Sequence, residues 1–165
     1  MRAAHRLWRS HQPETGTILA RARVRPAMTF SVPVVVRGYE LDTLGHLNQA
    51  VYLQYAEHAR WELLRAAGIG GDKLISGGIG PVVLETNIKY RRELRGGDEV
   101  AVTCEFQWDG GKIFRIRQEM RKIDGTVAAE VEVVLGIMDL TARKLVTDPG
   151  ERLRAIAEQP DLLGL

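Results

Sequence analysis

Asp42 stands seven residues ahead of Gln49, where a long helical pattern begins. The residues between them, Thr43-Leu44-Gly45-His46-Leu47-Asn48, are rich in turn formers and can fold the aspartate back toward the helix start. The first N–H groups of a helix have no intrahelical acceptor and carry the positive end of the dipole. A carboxylate beside such donors can activate water, or attack an electrophilic carbonyl itself, while the N–H groups stabilise the oxyanion that forms. The candidates for this chemistry are Asp42 as base or nucleophile, the Gln49 N–H as oxyanion donor, and His46, Asn48 and Glu57 as neighbours able to assist.

Each candidate also has a structural reading. Asp followed by Gly three residues on suits a β-turn closed by the aspartate's own side chain. Asn48 is a good helix N-cap, and capping would itself set out the oxyanion donors. His46 can be an ordinary turn histidine, although imidazole titrates near neutrality and could serve a leaving group. Glu57 is the rival carboxylate, and its structural reading is an ion pair with Arg60 three residues on. Tyr52 suits core or subunit packing. Cys104, in an alternating apolar stripe, reads as a buried inert thiol.

The elements that must position these residues are legible in the periodicity. Phe30 to Arg37 is β-branched and reads as a strand, which Pro33 places at a sheet edge or near the strand's start. From Gln49 to about Ala67, Tyr52, Tyr55, Ala56, Ala59, Leu63 and Ala66 recur at helical spacing. Val51, Leu53, Trp61 and Leu64 add apolar residues on the opposite side, so the helix is expected to be buried on most faces. Gly68 is its stop, and residues 68–80, with six glycines, read as a flexible connection.

Four alternating strands follow. The first places Val82, Leu84, Thr86, Ile88 and Tyr90 on one face; the others carry Val100 to Trp108, Phe114 to Met120 and Val127 to Ile137. Turn chemistry at Arg95–Asp98, Asp109–Lys112 and Asp124-Gly125 makes the last three an antiparallel meander. A short amphipathic helix near 151–158 ends the chain. The class is α+β, one antiparallel sheet curled about one long helix.

Composition narrows the function. Of 165 residues, 45% are hydrophobic and 27% charged, which is globular composition, and no run reaches the roughly 18 apolar residues of a membrane span. The net charge of +2 arises in residues 1–27, where six arginines face one acid; the remainder holds 17 basic and 20 acidic side chains. That remainder gives no footprint for nucleic acid. One cysteine and four histidines without zinc spacing indicate a reducing, cytoplasmic setting and no metal. Residues 1–27 read as a basic leader outside the fold, disordered or an over-extended start, with a targeting segment as the minority reading; residues 28–165 form one domain.

The segment Tyr39-Glu40-Leu41-Asp42-Thr43-Leu44-Gly45-His46-Leu47-Asn48-Gln49-Ala50-Val51-Tyr52-Leu53-Gln54-Tyr55-Ala56-Glu57, with Arg60, resembles the signature of the 4-hydroxybenzoyl-CoA thioesterase-like hotdog family. Ile88–Arg92 running to Gly97–Val100, and Gly150–Ile156, agree with it, so the likeness covers roughly residues 30–158. The resemblance implies a hotdog fold and hydrolysis of acyl thioesters of coenzyme A or acyl carrier protein, with no cofactor beyond the coenzyme A of substrate or product. It also implies a homodimer or dimer-of-dimers tetramer with sites shared between subunits. The family's carboxylate falls on Asp42 and its oxyanion N–H on Gln49, where many members have Asn. Tyr52 and Arg91 are expected to line the substrate site, and the phosphate-contacting positions fall on Lys112 and Arg154. Other basic positions of the family are Gly110 and Gly111 here. Non-catalytic thioester binding and a hotdog dehydratase using His46 with Glu57 are the alternatives.

Overall fold

The computed structural model describes residues 29–165, so the reading of residues 1–27 as a leader concerns a stretch outside the described residues. Strand β1 (Phe30–Val35) is followed by one turn of 3-10 helix (Gly38–Glu40), the long helix α1 (Gln49–Ala66) and a short helix α2 (Gly71–Ser76). Then come β2 (Ile79–Tyr90), β3 (Glu99–Gln107), β4 (Ile113–Lys122), β5 (Val127–Asp139), the two-residue β6 (Lys144–Leu145), α3 (Pro149–Arg154) and a final 3-10 turn (Pro160–Leu163). The six strands form one antiparallel sheet in the order β1-β3-β4-β5-β2, with β6 paired to β5. This is the α+β hotdog arrangement that the sequence led us to expect, including the β3–β4–β5 meander and Pro33 on an edge strand.

Helix α1 starts and stops for local reasons. The Asn48 side chain accepts from the Ala50 N–H at 2.9 Å, satisfying one orphan donor. At the other end Gly68 adopts φ +78°, and the Ala67 carbonyl accepts from the N–H groups of Glu158 and Gln159. Between these ends Ala56, Ala59 and Leu63 are fully buried, the two alanines letting the helix backbone approach the sheet closely.

The structure departs from the sequence reading in four places. Residues 68–80 are not merely a flexible connection; α2 forms within them and buries Leu74. The C-terminal helix is shorter than 151–158, spanning Pro149–Arg154.

Helix α1 is not covered on most faces. It packs on β1 and β3, while Leu53 (41% exposed), Gln54, Glu57 and His58 face outward. Finally, the β2 stripe is not the regular one. A bulge at Leu84 shifts the register, so Pro81 and Val83 pair with Ile137 and Leu135, while Thr86, Ile88 and Tyr90 pair with Val133, Val131 and Ala129. Cross-strand partners share a face, so Val83 rather than Leu84 points to the concave side.

A second irregularity lies opposite, between Met120 and Arg121. Ala128 falls out of the β4 ladder there, and its carbonyl accepts from both Arg91 N–H and Arg92 N–H, at 2.8 and 3.0 Å. That double bond set ends β2 and turns Arg91-Arg92-Glu93 toward the start of α1.

Candidate active site

The loop before α1 is a small closed unit. The Asp42 N–H donates to the His46 carbonyl at 2.7 Å, and Gly45, at φ +75°, donates to the Asp42 carbonyl. Only a residue tolerant of positive φ fits this turn without strain. Leu47 N–H bonds to the Leu94 carbonyl and Asn48 N–H to the Glu40 carbonyl, fixing the loop to both flanking segments.

Asp42 forms the expected side-chain turn in this unit. Its Oδ1 accepts from the N–H groups of Leu44 (2.8 Å) and His46 (3.1 Å), the turn geometry anticipated from sequence. Its Oδ2 takes no hydrogen bond from the described residues, and the side chain lines an open depression of about 350 Å3.

That depression brings together Asp42, His46, Gln49, Tyr52 and Arg91 with Tyr90, Arg92 and Glu93. The Gln49 N–H is the first of the helix and finds no acceptor among the described residues, whereas the next amide, of Ala50, is capped by Asn48. Asp42 and Gln49, the residue whose amide opens the helix, thus border one open hollow. Such a pair can generate a nucleophile and stabilise the oxyanion that its attack creates.

The walls are oriented by specific contacts. Tyr52, 4% exposed, meets Tyr90 edge-on with ring centroids 5.1 Å apart, and the Tyr90 hydroxyl donates to the Gln49 carbonyl at 3.3 Å. Burial raises the Tyr52 phenol above its ordinary value, a backbone hydrogen bond at Leu94 opposing the shift, so the ring stays neutral. His46 Nε2 lies 3.1 Å from Glu93 Oε2. Arg91 is held by Glu130, through Nε at 3.1 Å and Nη2 at 2.7 Å, while Arg92 Nη1 donates to the Arg91 carbonyl.

Three of the sequence candidates lie elsewhere. Glu57 lines a separate cavity between α1 and the sheet, so it does not meet His46, and the dehydratase pairing is not assembled within the protomer. Nor does Glu57 form an ion pair with Arg60, whose guanidinium instead donates to Gln118 Oε1 at 2.9 Å. Lys112, in the β3–β4 turn, and Arg154, at the end of α3, are exposed and do not border the Asp42 depression; Arg154 pairs with Glu151. Among the described residues no group of three His, Cys, Asp or Glu side chains converges as a metal site would require.

Sequence reasoning missed Tyr90 and Glu93 as wall residues, because nothing local shows that the end of β2 folds over the start of α1. It also missed Gln118, 2% exposed. A glutamine at the fourth place of the Phe114, Ile116, Met120 stripe was the available signal. Gln118 Nε2 donates to the Ala56 carbonyl (2.9 Å) and to Cys104 Sγ (3.0 Å). Burial pushes the Cys104 thiol up to about 12, against the lesser pull of the Gln118 hydrogen bond and the Arg60 charge. Cys104 is no nucleophile at neutral pH.

With this geometry established, comparison with known proteins is informative. The chain is 33% identical over 127 residues to the long-chain acyl-CoA thioesterase FadM of Escherichia coli, covering 76% of this chain and 95% of that protein. It is 39% identical over 71 residues to the chloroplastic acyl-acyl carrier protein thioesterase ATL3 of Arabidopsis thaliana, covering 43% of this chain and 37% of that one. The crystal structure of YbaW, a probable thioesterase from Escherichia coli, superposes with a TM-score of 0.70 at 28% identity, covering 78% of this chain and 99% of the other. The sequence profile of the thioesterase-like superfamily matches residues 36–159. Because that stretch holds the Asp42 loop, α1 and strands β2 to β6 and ends just before the C-terminal turn, the chain belongs to the thioesterase-like superfamily.

Proposed function

We propose that the thioester hydrolysis of this superfamily is carried out here in the Asp42 depression, on an acyl thioester of coenzyme A or of acyl carrier protein. One observation carries the reading: Asp42, whose Oδ2 takes no hydrogen bond from the described residues, and Gln49, whose N–H finds no acceptor among them, border the same hollow. The substrate carbonyl docks with its oxygen on the Gln49 amide. Asp42 then either takes a proton from water or attacks the carbonyl carbon. Negative charge moves to the oxygen, where the amide and the helix dipole stabilise it more strongly than they stabilise the neutral thioester. Collapse of the tetrahedral species expels the thiolate, leaving the free acid after water attack, or after direct attack an acyl–Asp42 anhydride that a water molecule then cleaves to free acid and the Asp42 carboxylate. His46, aligned by Glu93, stands close enough to the hollow to protonate the thiolate.

Arg91 and Arg92 at the rim suit the phosphates of the thiol carrier. Both named relatives act on thioesters of such carriers, one of coenzyme A and one of acyl carrier protein. The reaction needs no cofactor apart from the carrier itself. We place the enzyme in the cytoplasm, a reading supported by the free, buried Cys104. Among the described residues no helix is long and apolar enough to cross a membrane.

We also propose a homodimer, or a tetramer of two such dimers, paired along β2. This twelve-residue strand is a sheet edge, and Val83, Leu84 and Tyr90 on it are each about half exposed. Pairing would cover the open edge and set a second chain beside the Asp42 depression. It would also give Lys112 and Arg154 a route to the neighbouring site.

The deciding experiment is thiol release from a panel of acyl-CoA thioesters by wild type and Asp42→Asn. Turnover in wild type that falls at least a hundredfold in the variant supports the assignment; equal rates remove Asp42 from it.

A further inference from the structure

We infer that two copies of this chain pair β2 to β2, antiparallel, about a two-fold axis at Asn87, which sets Glu85 of each subunit opposite Lys89 of the partner subunit. The inference rests on the homodimer proposed above and adds its register, and with it the part of the second chain that reaches the site. The sheet has two edges, β1 and β2. On β1 the N–H of Val36 bonds inward to the Asp98 carbonyl, so strand alternation turns position 33 outward, where Pro33 has no N–H to give. Edge β1 is thereby blunted against pairing.

On β2 the same alternation locates the open groups. The Arg91 N–H bonds to the Ala128 carbonyl, so Lys89, Asn87 and Glu85, at two-residue steps before it, turn their backbone groups to β5. Thr86, Ile88 and Tyr90 turn theirs to the edge. This regular stretch runs from the bulge at Leu84 to the strand's end at Tyr90. Opposed residues share a face of the sheet, so the axis must fall on a residue rather than between two. Only axes at Asn87 and Ile88 lie in the middle of residues 85–90.

Charge chooses between them. On the outer face of the sheet Arg91, Arg115, Arg117 and Arg121 each have a carboxylate of their own chain, on Glu130, Asp109, Glu132 and Glu119. Glu85 and Lys89 are exposed on the same face, and neither has an ion-pair partner among the described residues. An axis at Asn87 brings these two opposite each other twice, once on each side of the axis. An axis at Ile88 would set Glu85 against Arg91, whose guanidinium Glu130 already holds through two nitrogens, and leave Lys89 facing Asn87. Axes at residues 85 or 89 would oppose like charges.

The same register reaches the candidate active site. It lays Leu84 of the partner subunit beside Tyr90, and both residues are about half exposed in the single chain. Tyr90 is a wall of the Asp42 depression, and its hydroxyl donates to the Gln49 carbonyl, so the second chain extends that wall. The Tyr90 residues of the two subunits are then six residues apart along the ladder, about 20 Å at 3.3 Å per residue. The two depressions stay separate.

The test is disulfide trapping of the full-length protein with Thr86→Cys, Asn87→Cys or Ile88→Cys, beside sedimentation of each variant. Position 87 meets its own symmetry mate in a non-hydrogen-bonded pair, with Cα atoms about 4.5 Å apart and within disulfide reach. Positions 86 and 88 meet theirs only diagonally, at roughly 7–8 Å. Cys104 is buried and its thiol is pushed up to about 12, so the wild type gives no background. Asn87→Cys is expected to crosslink at least about tenfold faster than the other two under mild oxidation. Glu85→Lys and Lys89→Glu are each expected to weaken the dimer about tenfold, and the two together to restore it. Fastest crosslinking at 86 or 88, or a double exchange that restores nothing, overturns the register and leaves the dimer standing. A dimer that crosslinks at none of the three positions overturns the pairing along β2 as well, and a wild type that sediments as a single chain removes the dimer itself. No readout needs turnover, so a protein that crosslinks at 87 yet cleaves no thioester loses the hydrolase reading alone.

Discussion

The Tyr55 hydroxyl, in the second turn of α1, donates to Glu40 Oε2 at 2.5 Å, and the same oxygen accepts the Arg37 N–H at 2.7 Å. The Glu40 carbonyl in turn accepts the N–H of Asn48, the residue that caps α1. Glu40 therefore ties the 3-10 turn before the Asp42 loop to both the start and the body of the helix. Asp42 sits two residues after this tie and Gln49 one residue after the cap. Their relative placement is held by Glu40 together with the loop's own turn.

Acid should act through this tie. Burial disfavours the Glu40 carboxylate, but the hydrogen bonds from Tyr55 and Arg37 outweigh that penalty and hold its pKa below the ordinary 4.5. The unfolded chain then binds the proton more readily than the folded one. The stabilisation is complete above the ordinary value and is lost as pH falls through the folded one. Urea unfolding at stepped pH should show wild type losing stability below about pH 4.5 and Glu40→Gln losing less over the same window. Tyr55→Phe should cost about 1.5–3 kcal/mol at neutral pH, the usual worth of a hydrogen bond to a charged group.

 Asp42→Asn should leave the fold intact, because an amide oxygen can still accept from the Leu44 and His46 N–H groups that Oδ1 accepts from in the wild type. Turnover should fall by on the order of 10²–10⁴, the usual contribution of a positioned acid–base group. Thiol release measured beside the thermal unfolding midpoint separates the two effects. A lowered midpoint with proportionate loss of activity would make Asp42 a structural residue only.

Asn48→Ala removes the cap of α1 and should cost about 1 kcal/mol of stability. It also frees the Ala50 N–H, which the Asn48 side chain now occupies. Turnover should drop more than substrate affinity, since the amides at the helix start would lose their fixed direction. Asn48→Asp, which keeps the capping oxygen, should restore most of the stability. Steady-state kinetics with chemical denaturation of both variants checks this.

Gln118→Leu should destabilise by about 1–3 kcal/mol, because the half-buried Arg60 guanidinium loses the Oε1 acceptor that now holds it. Cys104 should stay unreactive toward an alkylating reagent at neutral pH in wild type, given its burial and a thiol pKa of about 12. Urea midpoints and alkylation followed by mass measurement test the two statements together.

The sequence by itself determined the elements and the local chemistry. The cap at Asn48, the turn at Asp42–Gly45, the stop at Gly68 and the alternation of β3, β4 and β5 depend on neighbours within a few residues, and such signals survive in the linear chain. Only the tertiary structure decided which residues share the site. Tyr90, Arg92 and Glu93 reach the Asp42 depression because the Ala128 carbonyl anchors the end of β2, and Glu57 leaves it because eight residues of helix carry it to another cavity. The bulge at Leu84 likewise turns Val83 inward, a one-residue shift that strict alternation cannot report. Contacts between elements far apart in the chain leave no periodic trace, so the partners of Asp42 and Gln49 had to be read from the fold.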